Sequence, residues 1–437
     1  MPNQKPITIL ETKAAFEPEK LIRPFGFKGG YLTELWQTIT FLKSESNQIG
    51  IGLSTQSVLW SDAKIFTKYS ETEGNSLMFA LQKYALGLLK GSSFRHPIEA
   101  MEQVIPEVHS HGKKITNNPG LRLTFTLNSL VGVDNALWML YAAEHKINSF
   151  DDLIPEEYQP ALSTHHAHLA EIPLITYGVP LKELKTIIKK GHFFLKIKIG
   201  ADPDKDGDME KMLEWDKQRI ASIHKAIGNI EVPHTAHHKI PYYFDANGRY
   251  DNKDRLCRLL DFTKKIGAFD QIILVEEPFP EEYTKPVGDL GVCIAADESI
   301  HSEEDVLKRI ELGYGAITLK PIAKTLSGSL KITKLAHQHN IPCFCADLTV
   351  NPILVDWNKN MAARLAPLPG LTIGLIETNG SQNYLRWAEM EQYHPCAGAP
   401  WTKPSHGFFT LDSDFYEKNG GIFQISNHYL NLVQQQS

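Results

Sequence analysis

From about residue 172 onward, short apolar runs alternate with amphipathic stretches of about 10–15 residues, the texture of repeated strand–helix units. The apolar runs fall at 174–177, 194–199, 242–245, 272–276, 293–297, 316–320, 343–346 and 372–376. Between them, apolar positions recur at helical spacing over 181–190, 209–227, 254–266, 303–312, 327–339 and 352–365. About eight parallel strands separated by helices predict a closed barrel rather than an open sheet. The first part of the chain has another pattern. Strands are predicted at 7–11 and 37–42, helices at 76–89 and 127–145, with glycine-rich breaks at 26–30 and 50–52. That mixture reads as a separate α+β region. The tail, 395–436, is mixed and is expected to fold back on the first domain.

Ionisable residues sit at the ends of the barrel runs. YYFDANG ends on Asp245, QIILVEEP on Glu276 and Glu277, VCIAADES on Asp297 and Glu298, and AITLKP on Lys320. In a βα barrel the C-terminal ends of the strands form the catalytic rim. One charged strand end is commonplace, because helix caps are often acidic or amidic. Four consecutive ones, with the FFLKIKIG run before them as a fifth, point to a site. FFLKIKIG adds Lys196 and Lys198, two apart and therefore on one strand face. Buried like charges need compensation, and the neighbouring carboxylates supply it. Three converging carboxylates without His or Cys form a hard-oxygen site that suits Mg²⁺, with Mn²⁺ as a substitute. A carboxylate substrate beside such an ion would lose its α-proton to a lysine of lowered pKa, and the ion would offset the enolate charge. Lys198 and Lys320, from the second and sixth strands, would flank the substrate from two faces.

Composition narrows the alternatives. The 437 residues are 42% hydrophobic and 22% charged, with a net charge of −6. Nothing in this favours nucleic acid or an anionic membrane as partner. No stretch approaches a membrane span, and the first residues lack the apolar core of a signal peptide. The five cysteines show no zinc spacing and read as reduced core thiols of a cytoplasmic protein.

The ordered set Lys196-Ile-Lys198, Asp245-Ala-Asn247-Gly248, Glu276-Glu277-Pro278, Asp297-Glu298-Ser299 and Lys320 resembles the enolase superfamily, and more narrowly its muconate lactonizing enzyme subgroup. Sites of that superfamily combine a Lys or His base with one or two Mg²⁺ ions. VGVDNALWML (131–140) is similar to the family's helix leading into the barrel, and NQIGIGLST (47–55) to part of its capping domain. The resemblance implies a modified (β/α)7β TIM barrel at 151–390, an α+β capping domain at 1–150, and a C-terminal segment, 391–437, that returns to the cap. It implies Asp245, Glu276 and Asp297 as Mg²⁺ ligands. Lys198 and Lys320 become acid/base lysines, Lys196 a fixed charge near the substrate carboxylate, and Asn247 and Glu298 supporting residues. Glu277 is expected in a salt bridge. A homo-oligomer is also implied.

Departures from the family pattern shape the remaining expectations. Residues 231–243 read as an insertion at the barrel base, with His234, His237 and His238 as surface residues. His165, His166 and His168 are expected in solvent ahead of the first barrel strand. Strand seven, CFCADLTVN, lacks the histidine of mandelate racemase-type chemistry, and Asp347 would face substrate or cap the next helix. Strand eight offers Glu377-Thr378-Asn379 where dipeptide epimerases grip an ammonium with Asp-x-Asp. Cap residues Arg23 and Lys28 could pair with a distal acidic group, although solvation is the commoner fate of such residues; Phe25, Phe27 and Trp60 could wall the pocket or pack on the barrel mouth, and the glycines of 23–30 would let that loop move as a lid. The expected activity is Mg²⁺-dependent α-proton abstraction from a small-molecule carboxylate, as a racemase or epimerase of an amino acid derivative or dipeptide. Syn-dehydration, cycloisomerisation and a non-catalytic binding barrel are the alternatives.

Overall fold

The computed structural model describes residues 5–27 and 30–435. Its first sheet is built on a long antiparallel hairpin, β1 (Ile7–Phe27) and β2 (Gly30–Ser44), flanked by β3 (Ile49–Gln56) and β4 (Ser93–Phe94) in the order β3-β2-β1-β4. The strands run far beyond the two short segments predicted. Charged residues such as Glu17 and Lys20 interrupt the apolar alternation, so only fragments are legible. Residues 23–27, expected in a loop, complete the first strand.

Three helices cover this sheet: α1 (Glu71–Leu89), α2 (Pro97–Ile115) and α3 (Leu123–His145). Ser70 and Glu73 form a reciprocal cap at the start of α1. The second helix is absent from the sequence prediction, because its Pro106 obscures the helical pattern. β3 lies directly on α3. A Cβ on Gly52 would stand 2.0 Å from the Gly132 carbonyl, and one on Gly50 would stand 2.2 Å from that of Ala136. This close approach explains the glycine alternation in IGIGL.

The barrel strands are β5 (His168–Ile172), β6 (Leu174–Ile175), β7 (Leu195–Lys198), β8 (Tyr242–Asp245), β9 (Ile272–Glu276), β10 (Ile294–Ala296), β11 (Ala316–Leu319), β12 (Cys343–Cys345) and β13 (Gly374–Glu377). β5 and β6 are two halves of one strand broken at Pro173. The first half pairs with β13 and the second with β7, both in parallel, so the ring closes. His168 thus belongs to the first barrel strand rather than preceding it, although its side chain is exposed, and His166 is half-buried with Nε2 2.9 Å from the Leu365 carbonyl.

Helices α4 (Leu181–Lys189), α5 (Met209–Ile227), α6 (Lys253–Lys265), α7 (Glu303–Glu311), α8 (Leu326–Gln338) and α9 (Pro352–Ala362) follow their strands. Side chains of Asp208, Asn252, Ser302, Thr325 and Asn351 cap the last five of them. The connection from β9 to β10 is irregular, as Pro278, Pro280 and Pro286 dictate. The 231–243 segment lies at the base, where Thr235 bridges to Leu371 and the His234 ring packs on Phe193 and Phe408. The tail divides. β14 (Phe408–Thr410) pairs antiparallel with β5, an addition to the barrel not expected from the sequence, while the last helix, α10 (Asn427–Gln435), packs on β1 and β2. No helix among the described residues is long and apolar enough to cross a membrane.

Two buried joints fix the cap on the barrel. Asp134 on α3 accepts from the Ser327 amide (2.9 Å) and hydroxyl (2.5 Å), and Trp138 Nε1 donates to the same hydroxyl (3.0 Å). Gln37 on β2 donates to the Tyr384 hydroxyl (2.8 Å) and accepts from Asn351 Nδ2 (3.0 Å).

Candidate active site

Strand register builds the site. Lys198 is paired in parallel with Asp245, and Asp245 with Glu276, so three strand ends present a lysine and two acids in one row. Asp297 follows the end of β10 and Lys320 the end of β11. All are at the rim that the cap covers. A pocket of about 630 Å³, including its open mouth, is lined at its floor by Lys196, Lys198, Asp245, Asp297, Glu298 and Lys320.

The lysines and acids interlock. Lys196 Nζ lies 3.1 Å from Asp245 Oδ2, 3.2 Å from Glu276 Oε1 and 3.1 Å from Glu377 Oε2. Burial works against the ammonium, but the surrounding carboxylates hold its pKa well above the ordinary lysine value. Lys198 contacts Asp245 and donates to Asn247 Oδ1. Asn247 in turn donates to Glu298 Oε1 at 2.9 Å. Lys320 pairs with Asp297, and burial, which opposes its charge, is again outweighed by that carboxylate, so its pKa is raised. Burial also acts on Asp245, yet Lys196 and Lys198 together hold its carboxyl below the usual range. Glu276, wholly buried and near Asp297, is pushed up despite Lys196.

Glu276, Asp297 and Glu298 each bring a carboxylate oxygen to within 4.8 Å of the others. Glu276 Oε2 and Glu298 Oε2 are buried without a hydrogen-bond partner among the described residues. Orphaned buried carboxylate oxygens in a group of three are a donor set fitted to a hard divalent cation. This geometric trio includes Glu298, expected only as a supporting residue. Asp245, the third ligand expected, is turned to Lys196 and Lys198 and stands one strand from Glu276.

Other expectations fare differently. Glu277 makes no salt bridge among the described residues: with φ of 37° its carboxylate folds back to accept from the Asp297 amide (2.7 Å) and from the Ser299 amide and hydroxyl. It braces the loop carrying Asp297. Asp347 lines the pocket, but Asn351 caps α9 in its place. The Asp347 carboxylate accepts from the backbone amides of Asn379 (2.7 Å) and Val350 (3.3 Å). Burial, with Glu377 nearby, pushes its pKa up to about 7. Asn379 lines the pocket and accepts from Thr349 Oγ1 at 2.7 Å. Phe25 and Trp60 line the pocket, whereas Arg23 is exposed on β1 away from it. Lys28 and the Phe27 side chain lie outside the described residues.

Sequence reasoning missed Lys324. Its ammonium is buried, 2.6 Å from the Asp297 carbonyl, 2.8 Å from that of Ile300 and 3.5 Å from Asp297 Oδ1. The signal was available: in KPIAK the two lysines are four apart on a single helical turn, Pro321–Lys324, and so share a face. Trp60 lies over both ammonium groups, 5.2 Å from Lys320 Nζ and 5.9 Å from Lys324 Nζ.

Comparison with known proteins agrees with this architecture. Residues 181–372 match the family described as enolase C-terminal domain-like. No curated protein sequence matches the chain. A mandelate racemase/muconate lactonizing protein from Herpetosiphon aurantiacus superposes with a TM-score of 0.63 at 17% identity, covering 93% of this chain and 97% of its own. A dipeptide epimerase from Cytophaga hutchinsonii, complexed with Mg and the dipeptide D-Ala-L-Val, gives 0.60 at 18% identity over 86% and 87% of the two chains. An L-talarate dehydratase from Polaromonas sp. JS666, complexed with Mg and L-glucarate, gives 0.61 at 15% identity over 93% of each chain. The barrel is therefore enolase C-terminal domain-like. The chain as a whole shares the fold of these solved structures, among them the mandelate racemase/muconate lactonizing protein.

Proposed function

We propose that the protein is a Mg²⁺-dependent enzyme that removes the α-proton of a carboxylate substrate, acting as a racemase or epimerase. The observation that carries this is the convergence of Lys198 and Lys320 on one pocket whose floor also holds Asp297 and Glu298, with the Glu276 carboxylate grouped with them. Glu276, Asp297 and Glu298, with Asp245 beside them, would hold the cation. A divalent cation bound there supplies a Lewis acid that offsets the charge developing on the substrate carboxylate.

The chain's own groups do the rest. Lys196, fixed by three carboxylates, holds negative charge at the floor. Lys198 Nζ takes the α-proton on one face and Lys320 Nζ returns one on the other. Asn247 ties Lys198 to Glu298, so the base and the carboxylate group keep a fixed relation. The cap excludes water, which strengthens each of these interactions. Mn²⁺ would serve in the same place. The same apparatus also suits syn-dehydration or cycloisomerisation, with one lysine acting through its charge alone.

The test is incubation with Mg²⁺ and a carboxylate library in D₂O, with α-deuteration read by mass spectrometry. Loss of racemisation in both Lys198→Ala and Lys320→Ala, with each variant still exchanging one enantiomer only, supports two-base chemistry. Undiminished exchange in Lys320→Ala while turnover is lost favours dehydration or cycloisomerisation. No exchange with any carboxylate, with Mg²⁺ bound, favours a binding barrel.

A further inference from the structure

The floor of the pocket is polar, but its roof is not. Leu21 and Phe25 from β1, Leu32 and Leu35 from β2, and Trp60 from the helical turn after β3 cover it, with Leu348 at the barrel edge. Among the described residues, the cap contributes no charged side chain to the lining. Four of the five cap residues are less than a tenth exposed, with Leu35 at 2% and Trp60 at 6%. This seat begins where the chemistry ends, because the Trp60 ring lies over the Lys320 ammonium.

The charged groups that could read a polar end of the substrate have other partners. Glu377, placed where an ammonium would be gripped, pairs with Lys196 at 3.1 Å and accepts from the Asp347 amide at 3.4 Å. Asp347 is occupied by two backbone amides. Arg23 is exposed outside the pocket. Among the described residues, a distal anion or ammonium at the roof would meet an apolar surface broken only by the Ser57 side chain, and either would be desolvated without a charged partner.

Building on the reading of the site as a carboxylate-binding one, we propose that the substrate is a carboxylate whose distal part is uncharged and apolar, a branched-alkyl or aryl group seated against Leu21, Phe25, Leu32, Leu35 and Trp60. An amino group on such a substrate would be acylated rather than free. Phe25, half-buried at the mouth, is the residue that sets this preference.

The test is calorimetric binding of three probes of equal chain length, hexanoate, adipate and 6-aminohexanoate, to the full-length protein with Mg²⁺. Hexanoate is expected to bind at least about tenfold tighter than either charged probe, since a site without a polar partner discriminates strongly against a group that needs one. Phe25→Lys is expected to weaken hexanoate and strengthen adipate. Preference for adipate or 6-aminohexanoate in the wild-type protein, or no binding of hexanoate, overturns the proposal without any variant having to fold. The outcome is separable from the proton-transfer reading. Hexanoate preference without α-exchange of any carboxylate leaves the apolar seat standing and removes the chemistry. Exchange confined to substrates with charged distal groups does the reverse.

Discussion

Lys196 on the second barrel strand and Glu377 at the end of the eighth are joined by an ion pair of 3.1 Å beneath the pocket. The pair gives Glu377 a structural partner at the position where a substrate ammonium would otherwise be held. Lys196 keeps Asp245 and Glu276 when Glu377 is neutralised. Glu377→Gln is therefore expected to cost about 1–3 kcal/mol, below the full penalty of an orphaned buried charge. Urea unfolding measures this. Its kinetic effect should fall equally on substrates with and without an amino group; a loss confined to amino-bearing substrates would mean that Glu377 contacts substrate directly.

Metal affinity should depend on the grouped carboxylates. Glu276→Gln and Glu298→Gln are each expected to weaken Mg²⁺ binding by about 10–100-fold, as lost ligands or their direct supports do. Isothermal titration with Mg²⁺ alone reads this without substrate. An unchanged affinity in Glu298→Gln would remove Glu298 from the ligand group and leave Asp245 as the third acid.

The joint between cap and barrel makes a stability prediction. Gln37 is buried and bonded to Tyr384, Asn351 and Thr55. Gln37→Leu removes a hydrogen bond from each of those partners, though the Tyr384 hydroxyl keeps its donation to the Thr349 carbonyl, and is expected to cost about 1–3 kcal/mol. Because the joint positions the roof, KM should rise more than kcat falls. An unchanged KM would mean that the roof does not touch substrate.

Asp216 gives a pH dependence remote from the catalytic floor. It accepts from the Gly200 amide and the Tyr250 hydroxyl, both at 2.7 Å, and burial pushes its pKa up to about 7. The unfolded value is about 3.9. The folded protein therefore holds the proton more tightly. Its contribution to stability is full below about pH 4 and is lost as pH rises through about 7, with a slope of at most about 1.4 kcal/mol per pH unit. Asp216→Asn keeps a neutral partner in place, so the pH dependence of unfolding should flatten across that window. Parallel curves for the two proteins would mean that Asp216 is ionised throughout.

How much of this is legible in the sequence depends on locality. The barrel helices carry their periodicity and caps within short windows, so 209–227 is readable to the residue. Lys198, Asp245 and Glu276 are readable because each ends an apolar run, and strand register then aligns them. The long β1–β2 hairpin is not, because its exposed positions break the alternation and its pairing is set by distant partners. Lys324 is hidden for another reason: a lysine on a helical turn normally points to solvent, and only the folded loop of Asp297 and Ile300 shows it to be buried. Arg23 stays open between pocket and solvent in the sequence because nothing local reveals which face of β1 meets the pocket.

Two-base proton transfer is tested most directly by following α-proton exchange with Mg²⁺ in D₂O, using N-acylated amino acids with apolar side chains supplied as separate enantiomers. The wild-type protein is expected to deuterate both enantiomers. Lys198→Ala and Lys320→Ala are each expected to lose turnover by at least about 10²-fold. Each should retain residual exchange with the opposite enantiomer, because the remaining lysine still faces one side of the substrate. Equal residual exchange of both enantiomers in both variants, or undiminished exchange in either, would contradict the placement of Lys198 and Lys320 as the two proton carriers.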